Sequence, residues 1–180
     1  MIIIEKEIKM KGKDWYFEVN DYCNTLSEHY NIPLIKVAAI MSALSPNNTF
    51  RSNVKSLEKF LVTKGNCKVT CFNTQKEKAI AIYNAKSYTY NEILELLGKG
   101  LKTRAFFCNI YQPHKSQKVT VDRWAHRWGE QKGIVPVGKV LTNKRYNDIE
   151  KAMQEYANEL NILPHQYQAI AWVELRGKEY

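Results

Sequence analysis

Apolar residues recur at three- and four-residue spacing along almost the whole chain, so the sequence predicts helices in succession. Asp14 stands before Trp15, Val19, Tyr22, Cys23 and Leu26, which predicts a first capped amphipathic helix, and Pro33 opens the next. From Pro33 to Leu44 the residues Leu34, Val37, Ala38, Ile40, Met41 and Leu44 cover most of the helix circumference. A helix apolar all round belongs inside a core. Ser45-Pro46-Asn47-Asn48 breaks it, and Phe50, Val54, Leu57, Phe60 and Leu61 predict a third helix ending near Lys64-Gly65-Asn66.

Thr74 to Tyr83 reads as a fourth helix, and Glu92 to Leu97 as a short one running into Gly98. Leu101 to Tyr111 follows, with Ala105, Phe106 and Ile110 as its buried contacts, so two helices are joined by a tight glycine hairpin. Polar residues cross to Val119, and Asp122 is placed to N-cap a helix from Arg123 to Gly129. Tyr146 to Leu160 predicts a charged surface helix, and Pro164 opens a last one with Tyr167, Ile170, Ala171 and Val173 inward. No repeat, linker or low-complexity tract interrupts the pattern.

Length and composition narrow this further: 180 residues with 44% hydrophobic content bury one real core, in two lobes at most, so residues 1–180 are read as one domain. Lys and Arg number 27 against 18 Asp and Glu, a net charge of +9, which attracts polyanions through counterion release. Nucleic acid is the leading partner, an anionic membrane trails, and plain solvation of the surface is the bland reading. No stretch approaches the roughly 18 apolar residues of a membrane span. Met1-Ile2-Ile3-Ile4 runs at once into Glu5-Lys6-Glu7, too short and too charged for a signal peptide, so a cytoplasmic protein without membrane contact is expected. Cys23, Cys67, Cys71 and Cys108 are too sparse for a disulfide framework and are expected as free thiols. A zinc or iron-sulfur site from Cys67, Cys71, Cys108 and His114 fits no standard spacing, and no metal is expected.

The chemistry concentrates in Leu97-Gly98-Lys99-Gly100-Leu101-Lys102-Thr103-Arg104-Ala105, followed later by Val119-Thr120-Val121-Asp122. Amides of a Gly-x-Gly turn form a concave donor surface, and the next helix's N-terminal dipole adds to it, so the turn can hold a phosphate oxygen. An amine and a carboxylate beside such a turn suit chemistry at a sugar in DNA. Each part has a plainer reading: a sharp turn, a solvated lysine, a helix cap.

The order of helix, Gly98-Lys99-Gly100 hairpin, helix with Lys102-Thr103 at its start, then Val121-Asp122 opening another, resembles the helix-hairpin-helix DNA glycosylase superfamily of the endonuclease III type. Ile40-Met41-Ser42-Ala43-Leu44 resembles that family's buried second helix, Asn48 to Phe60 the helix after it, Lys76 to Tyr83 its lysine-alanine helix, and Tyr167 to Gly177 its closing helix. Small phage-encoded proteins share this look. The chain departs from the family in its short length, a trimmed stretch between Leu61 and Leu96, Lys99 where a small apolar residue is usual, and no four-cysteine cluster. Leu44 also stands where many relatives carry a glutamine that fills the hole left by a flipped base, which leaves Asn48 for that task.

The resemblance implies an all-α, two-lobe fold with a cleft between the lobes, and excision of a damaged, mismatched or modified base from double-stranded DNA by a monomer. It places the nucleophile that also nicks abasic sites on Lys102 and the carboxylate on Asp122. A carboxylate stabilises positive charge building on C1′ in a water-poor site. A lysine desolvated against a helix, or beside a cation such as Arg104, can form a Schiff base there, after which β-elimination cleaves the strand. Gly98, Lys99, Gly100, Thr103 and Arg104 are expected at the DNA backbone, with Asn48, Arg51 and Phe50 as candidates for the wedge that base extrusion needs. No iron-sulfur cluster is implied, while a monovalent cation at the hairpin is compatible with the resemblance. Trp124 and Trp128 read as core or lobe-packing residues before base-stacking platforms, His126 as a satisfied structural histidine, and Lys64, Lys68, Lys76 and Lys78 as a DNA-tracking stretch or a solvated face. Two other expectations remain beside the enzyme: a DNA-binding module that keeps the fold but has lost or redirected the chemistry, recognising modified DNA, and a regulator using its basic face on another acidic partner.

Overall fold

The computed structural model describes residues 12–176, and the regular secondary structure among them is all helix, with no strand. Met1-Ile2-Ile3-Ile4 and the Gly177 end of the closing helix lie outside the described residues. The helices are α1 Trp15–Tyr30, α2 Leu34–Ala43, α3 Phe50–Thr63, α4 Asn73–Asn84, α5 Tyr90–Leu97, α6 Leu101–Tyr111, α7 Arg123–Gln131, α8 Asn143–Glu159 and α9 Pro164–Arg176. They group into two compact units, Val19–Tyr111 and a second made of Gln112–Tyr180 with Met1–Glu18, so the first turn of α1 counts with the second unit.

In the Val19–Tyr111 unit α2 is the central helix and packs against α3, α4, α5 and α6. Nine of its ten residues are buried, from Ile35 to Ala43, as its all-round apolar pattern requires. One of the nine is Lys36, whose Nζ donates to the carbonyls of Tyr83 (3.0 Å) and Ala85 (2.6 Å) at the end of α4. The buried ammonium thus satisfies a helix C-terminus, and burial lowers its pKa. Cys23 sits fully buried against Met41, where burial pushes its thiol up to about 12.

α3 keeps the bounds read from the sequence: Thr49 caps it by accepting from the Ser52 amide, and Lys64 ends it in the left-handed conformation. Two other starts shift. α5 starts at Tyr90 rather than Glu92, because Thr89 and Glu92 form a reciprocal capping box. α8 starts at Asn143, three residues before the predicted Tyr146, with Thr142 as its cap. The starts of α5 and α8 were set by a side-chain oxygen rather than by the apolar period.

In the second unit α9 packs on α7 and α8, and α7 on α8. Gly129 makes the α7 and α8 contact close: a Cβ there would lie 2.7 Å from Ile149 Cγ1. His165 is fully buried, with Nε2 2.7 Å from the Pro113 carbonyl and its ring edge-on to Tyr16 and Phe17. The Trp128 ring is buried and edge-on to both Tyr156 and Tyr167, which stack on each other, whereas Trp124 is half-buried. The expectation of a satisfied His126 is corrected: among the described residues its buried Nε2 has no hydrogen-bond partner.

Candidate functional site

The hairpin predicted from Gly98-Lys99-Gly100 joins α5 to α6 in the Val19–Tyr111 unit. Gly98 closes α5, its amide donating to the Glu95 carbonyl at 2.9 Å, and adopts φ 79, ψ −163. That conformation is essentially open to glycine alone. The first helical hydrogen bond of α6 runs from the Arg104 amide to the Gly100 carbonyl at 3.1 Å, so the amides of residues 101–103 are the helix's open donors. The first turn of α6 carries no acidic side chain. Positive dipole and open amides coincide with Lys102 and Thr103, both half-buried, while Lys99 and Gly100 are exposed.

Lys78 reaches this turn from α4. Its Nζ donates to the Leu97 carbonyl at 3.1 Å and stands 3.2 Å from where a Cβ on Gly98 would be. Lys78 is therefore a latch on the hairpin, a role that neither reading of the basic stretch had given it. Arg104 is half-buried, and its buried Nε has no hydrogen-bond partner among the described residues. Its charge bears on Tyr90, whose phenol lies 2.9 Å from Cys108 Sγ and is pushed up by burial first and by that thiol second.

Asn48 and Arg51 lie in the same unit, on either side of the start of α3. Arg51 is exposed, but both ends of the Asn48 amide are engaged: Nδ2 donates to the Leu44 carbonyl at 3.4 Å, and Oδ1 accepts from the Thr70 hydroxyl at 3.0 Å. Phe50 is half-buried.

Asp122 belongs to the second unit and caps α7 as predicted, Oδ1 accepting from the amides of Trp124 and Ala125 at 2.9 Å each. Oδ2 accepts no hydrogen bond from the described residues, and the side chain is half-buried. What fixes this carboxylate is the segment before it. Val119, Thr120 and Val121 are buried, and the Tyr146 phenol from α8 donates to the Val119 carbonyl at 2.7 Å and accepts from the Val121 amide at 3.3 Å. Burial raises the Tyr146 pKa, which keeps the phenol protonated for this bridge. Glu150 Oε1 accepts from the Val119 amide at 3.1 Å, and the Tyr16 phenol lies 2.9 Å from Thr120 Oγ1 and 2.8 Å from Gln168 Oε1. Sequence reasoning missed Tyr146, Glu150, Tyr16 and Gln168, because no local signal links three helices to one extended segment. Thr89-Tyr90-Asn91-Glu92, by contrast, was a readable capping signature.

Among the described residues no three side chains of His, Cys, Asp or Glu are gathered to hold a metal ion, and no helix is long and apolar enough to cross a membrane. Cys67 and Cys71 are half-buried and Cys108 is buried.

No curated protein matches the sequence. The fold is similar to that of the 8-oxoguanine glycosylase/lyase of Methanocaldococcus jannaschii, crystallised with 15mer DNA containing 8-oxoguanine, at a TM-score of 0.64 over 99% of each chain and 13% identity. Together with the α5–Gly98–α6 hairpin, that similarity gives the all-α, helix-hairpin-helix glycosylase type of fold the sequence implied. A family model described as "Family of unknown function (DUF7178)" matches residues 4–179, and the chain belongs to that family.

Proposed function

We propose that this protein excises a damaged, mismatched or modified base from double-stranded DNA, with Lys102 also able to cleave the abasic strand. The observation that carries the reading is a glycine-only turn delivering Lys102 on the first turn of α6, in a chain whose fold matches a glycosylase/lyase from end to end. Gly98, Lys99, Gly100, Thr103 and Arg104 hold the DNA backbone through amides and positive charge. Arg51 adds a cation, and Asn48, fixed by Leu44 and Thr70, faces the distorted step. Asp122 stabilises the positive charge that builds on C1′ as the bond electrons leave with the base, through the oxygen not used in capping α7. The Lys102 amine adds to C1′ and loses a proton, the C1′–O4′ bond then breaks with O4′ taking a proton as the imine forms, and loss of a C2′ proton expels the 3′ phosphate.

Borohydride trapping on duplexes carrying uracil, 8-oxoguanine, a G·T mismatch or an abasic site tests the reading. Lys102→Ala abolishes trapping, and Asp122→Asn slows base release by about 10²–10³-fold with little loss of DNA affinity. Equal rates in wild type and both variants would remove the catalytic assignment. Tight DNA binding with neither release nor trapping on any duplex would instead favour the binding module, for which capping of α7 is the whole task of Asp122.

A further inference from the structure

The two tryptophans of α7 have different surroundings. Trp128 is 4% exposed and packed edge-on against the stacked rings of Tyr156 and Tyr167, so it is accounted for as core. Trp124, one turn earlier and half-buried, has two guanidinium groups against its ring, Arg127 at 4.8 Å and Arg123 at 5.5 Å from the centroid. Both arginines are exposed, and among the described residues neither pairs with a carboxylate. The nearest acids in sequence are committed elsewhere: Asp122 caps the helix, and Glu130 accepts from the Gly138 amide at 2.7 Å. Lys132, at the end of the helix, lies over Tyr156.

Two unpaired guanidiniums resting on one indole are a loaded arrangement. An exposed cation–π contact is weaker than a charge-assisted, bidentate hydrogen bond to a phosphate, so a polyanion draws the arginines off the ring. The same event uncovers an aromatic face of the kind on which bases stack. Three side chains on one helix turn are far smaller than the ~800 Å² per partner of a standard protein interface, but one nucleotide with its flanking phosphates needs no more than this.

We infer that Arg123, Trp124 and Arg127 form a nucleotide platform in which the arginines take the phosphates on either side of an unstacked nucleotide and Trp124 takes its base. The inference rests on the DNA-acting function proposed above and adds to it the contact that selects an unstacked over a stacked nucleotide.

The test titrates the full chain with a duplex carrying one bulged nucleotide, the corresponding intact duplex, and poly-glutamate as charge without bases. Binding of the bulged duplex should change tryptophan emission in wild type, and Trp124→Phe should remove most of that change. Trp124→Ala should weaken the bulged duplex by roughly 5- to 100-fold, with a smaller loss on the intact duplex and none on poly-glutamate. The pair Arg123→Gln and Arg127→Gln, at exposed positions that do not threaten folding, should weaken all three. It should also flatten the salt dependence of DNA binding by about one to two phosphate equivalents. Bulged-duplex affinity within two-fold of wild type in Trp124→Ala, or an equal loss on poly-glutamate, overturns the platform alone. A wild-type chain that binds no DNA overturns the proposed function, and the platform falls with it.

Discussion

Replacing Tyr146 with phenylalanine removes one oxygen and nothing else, at a residue 5% exposed whose ring sits in the core of the second unit. That oxygen serves two backbone groups, the Val119 carbonyl at 2.7 Å and the Val121 amide at 3.3 Å, on residues with no exposed surface. No water reaches those groups, so each is left unsatisfied at about 1–3 kcal/mol, the longer bond at the lower end. The expected loss is therefore about 2–4 kcal/mol, at an m-value unchanged from wild type. For a chain of this size that corresponds to a fall of roughly 4–16 °C in Tm. Urea unfolding followed by far-UV circular dichroism measures it, and hydrogen exchange at the Val121 amide should speed up in step. A loss below about 0.5 kcal/mol would refute the reasoning, showing that the phenol does not bridge these groups in solution. The same variant reports on function: if the buried segment is what aims Asp122, base release should slow more than DNA affinity falls.

Three further perturbations follow from the same geometry. Burial, more than the Pro113 carbonyl or His114, sets the His165 pKa and lowers it below its ordinary value of 6.5. The unfolded chain therefore binds the extra proton first, and stability should fall as pH drops below about 6.5, with a slope of at most ~1.4 kcal/mol per unit until the folded pKa is reached. A His165→Gln variant with the same acid slope as wild type would show that another group is responsible. Gly129→Ala gains about 1 kcal/mol of helix propensity. It also forces a Cβ to 2.7 Å from Ile149 Cγ1, an overpacking cost of about 1–3 kcal/mol. Calorimetry should thus show a net loss of roughly 1 kcal/mol, and a gain in Tm would count against the close packing of α7 on α8. Gly98→Ala must hold φ 79, ψ −163 against a strain of about 1–3 kcal/mol and crowd the Lys78 ammonium. DNA affinity measured by anisotropy should fall along with stability, and full affinity would mean the hairpin does not grip the strand.

The helices were legible because their apolar period is strong. α2 reads as buried from Leu34, Val37, Ala38, Ile40, Met41 and Leu44 alone, and it is central to its unit. The hairpin was legible because glycine is the chemical answer to a left-handed turn, and Asp122 because an acid before a helix is a cap. α5 and α8 began earlier than the apolar residues indicate, since Thr89 and Thr142 set their starts by hydrogen bonding to backbone amides.

By itself the sequence determined which segments are helical, where the glycine turn falls, and which side chains carry charge at it, because these depend on neighbours within a few residues. Tertiary structure alone decided that Lys78 latches Leu97, that Tyr146, Glu150, Tyr16 and Gln168 hold the segment before Asp122, and that Trp124 stays half-buried while Trp128 is buried. Those pairings join residues far apart in the chain. They are fixed by which buried polar group must find a partner once helices pack, and that is a property of the packed helices rather than of any one of them.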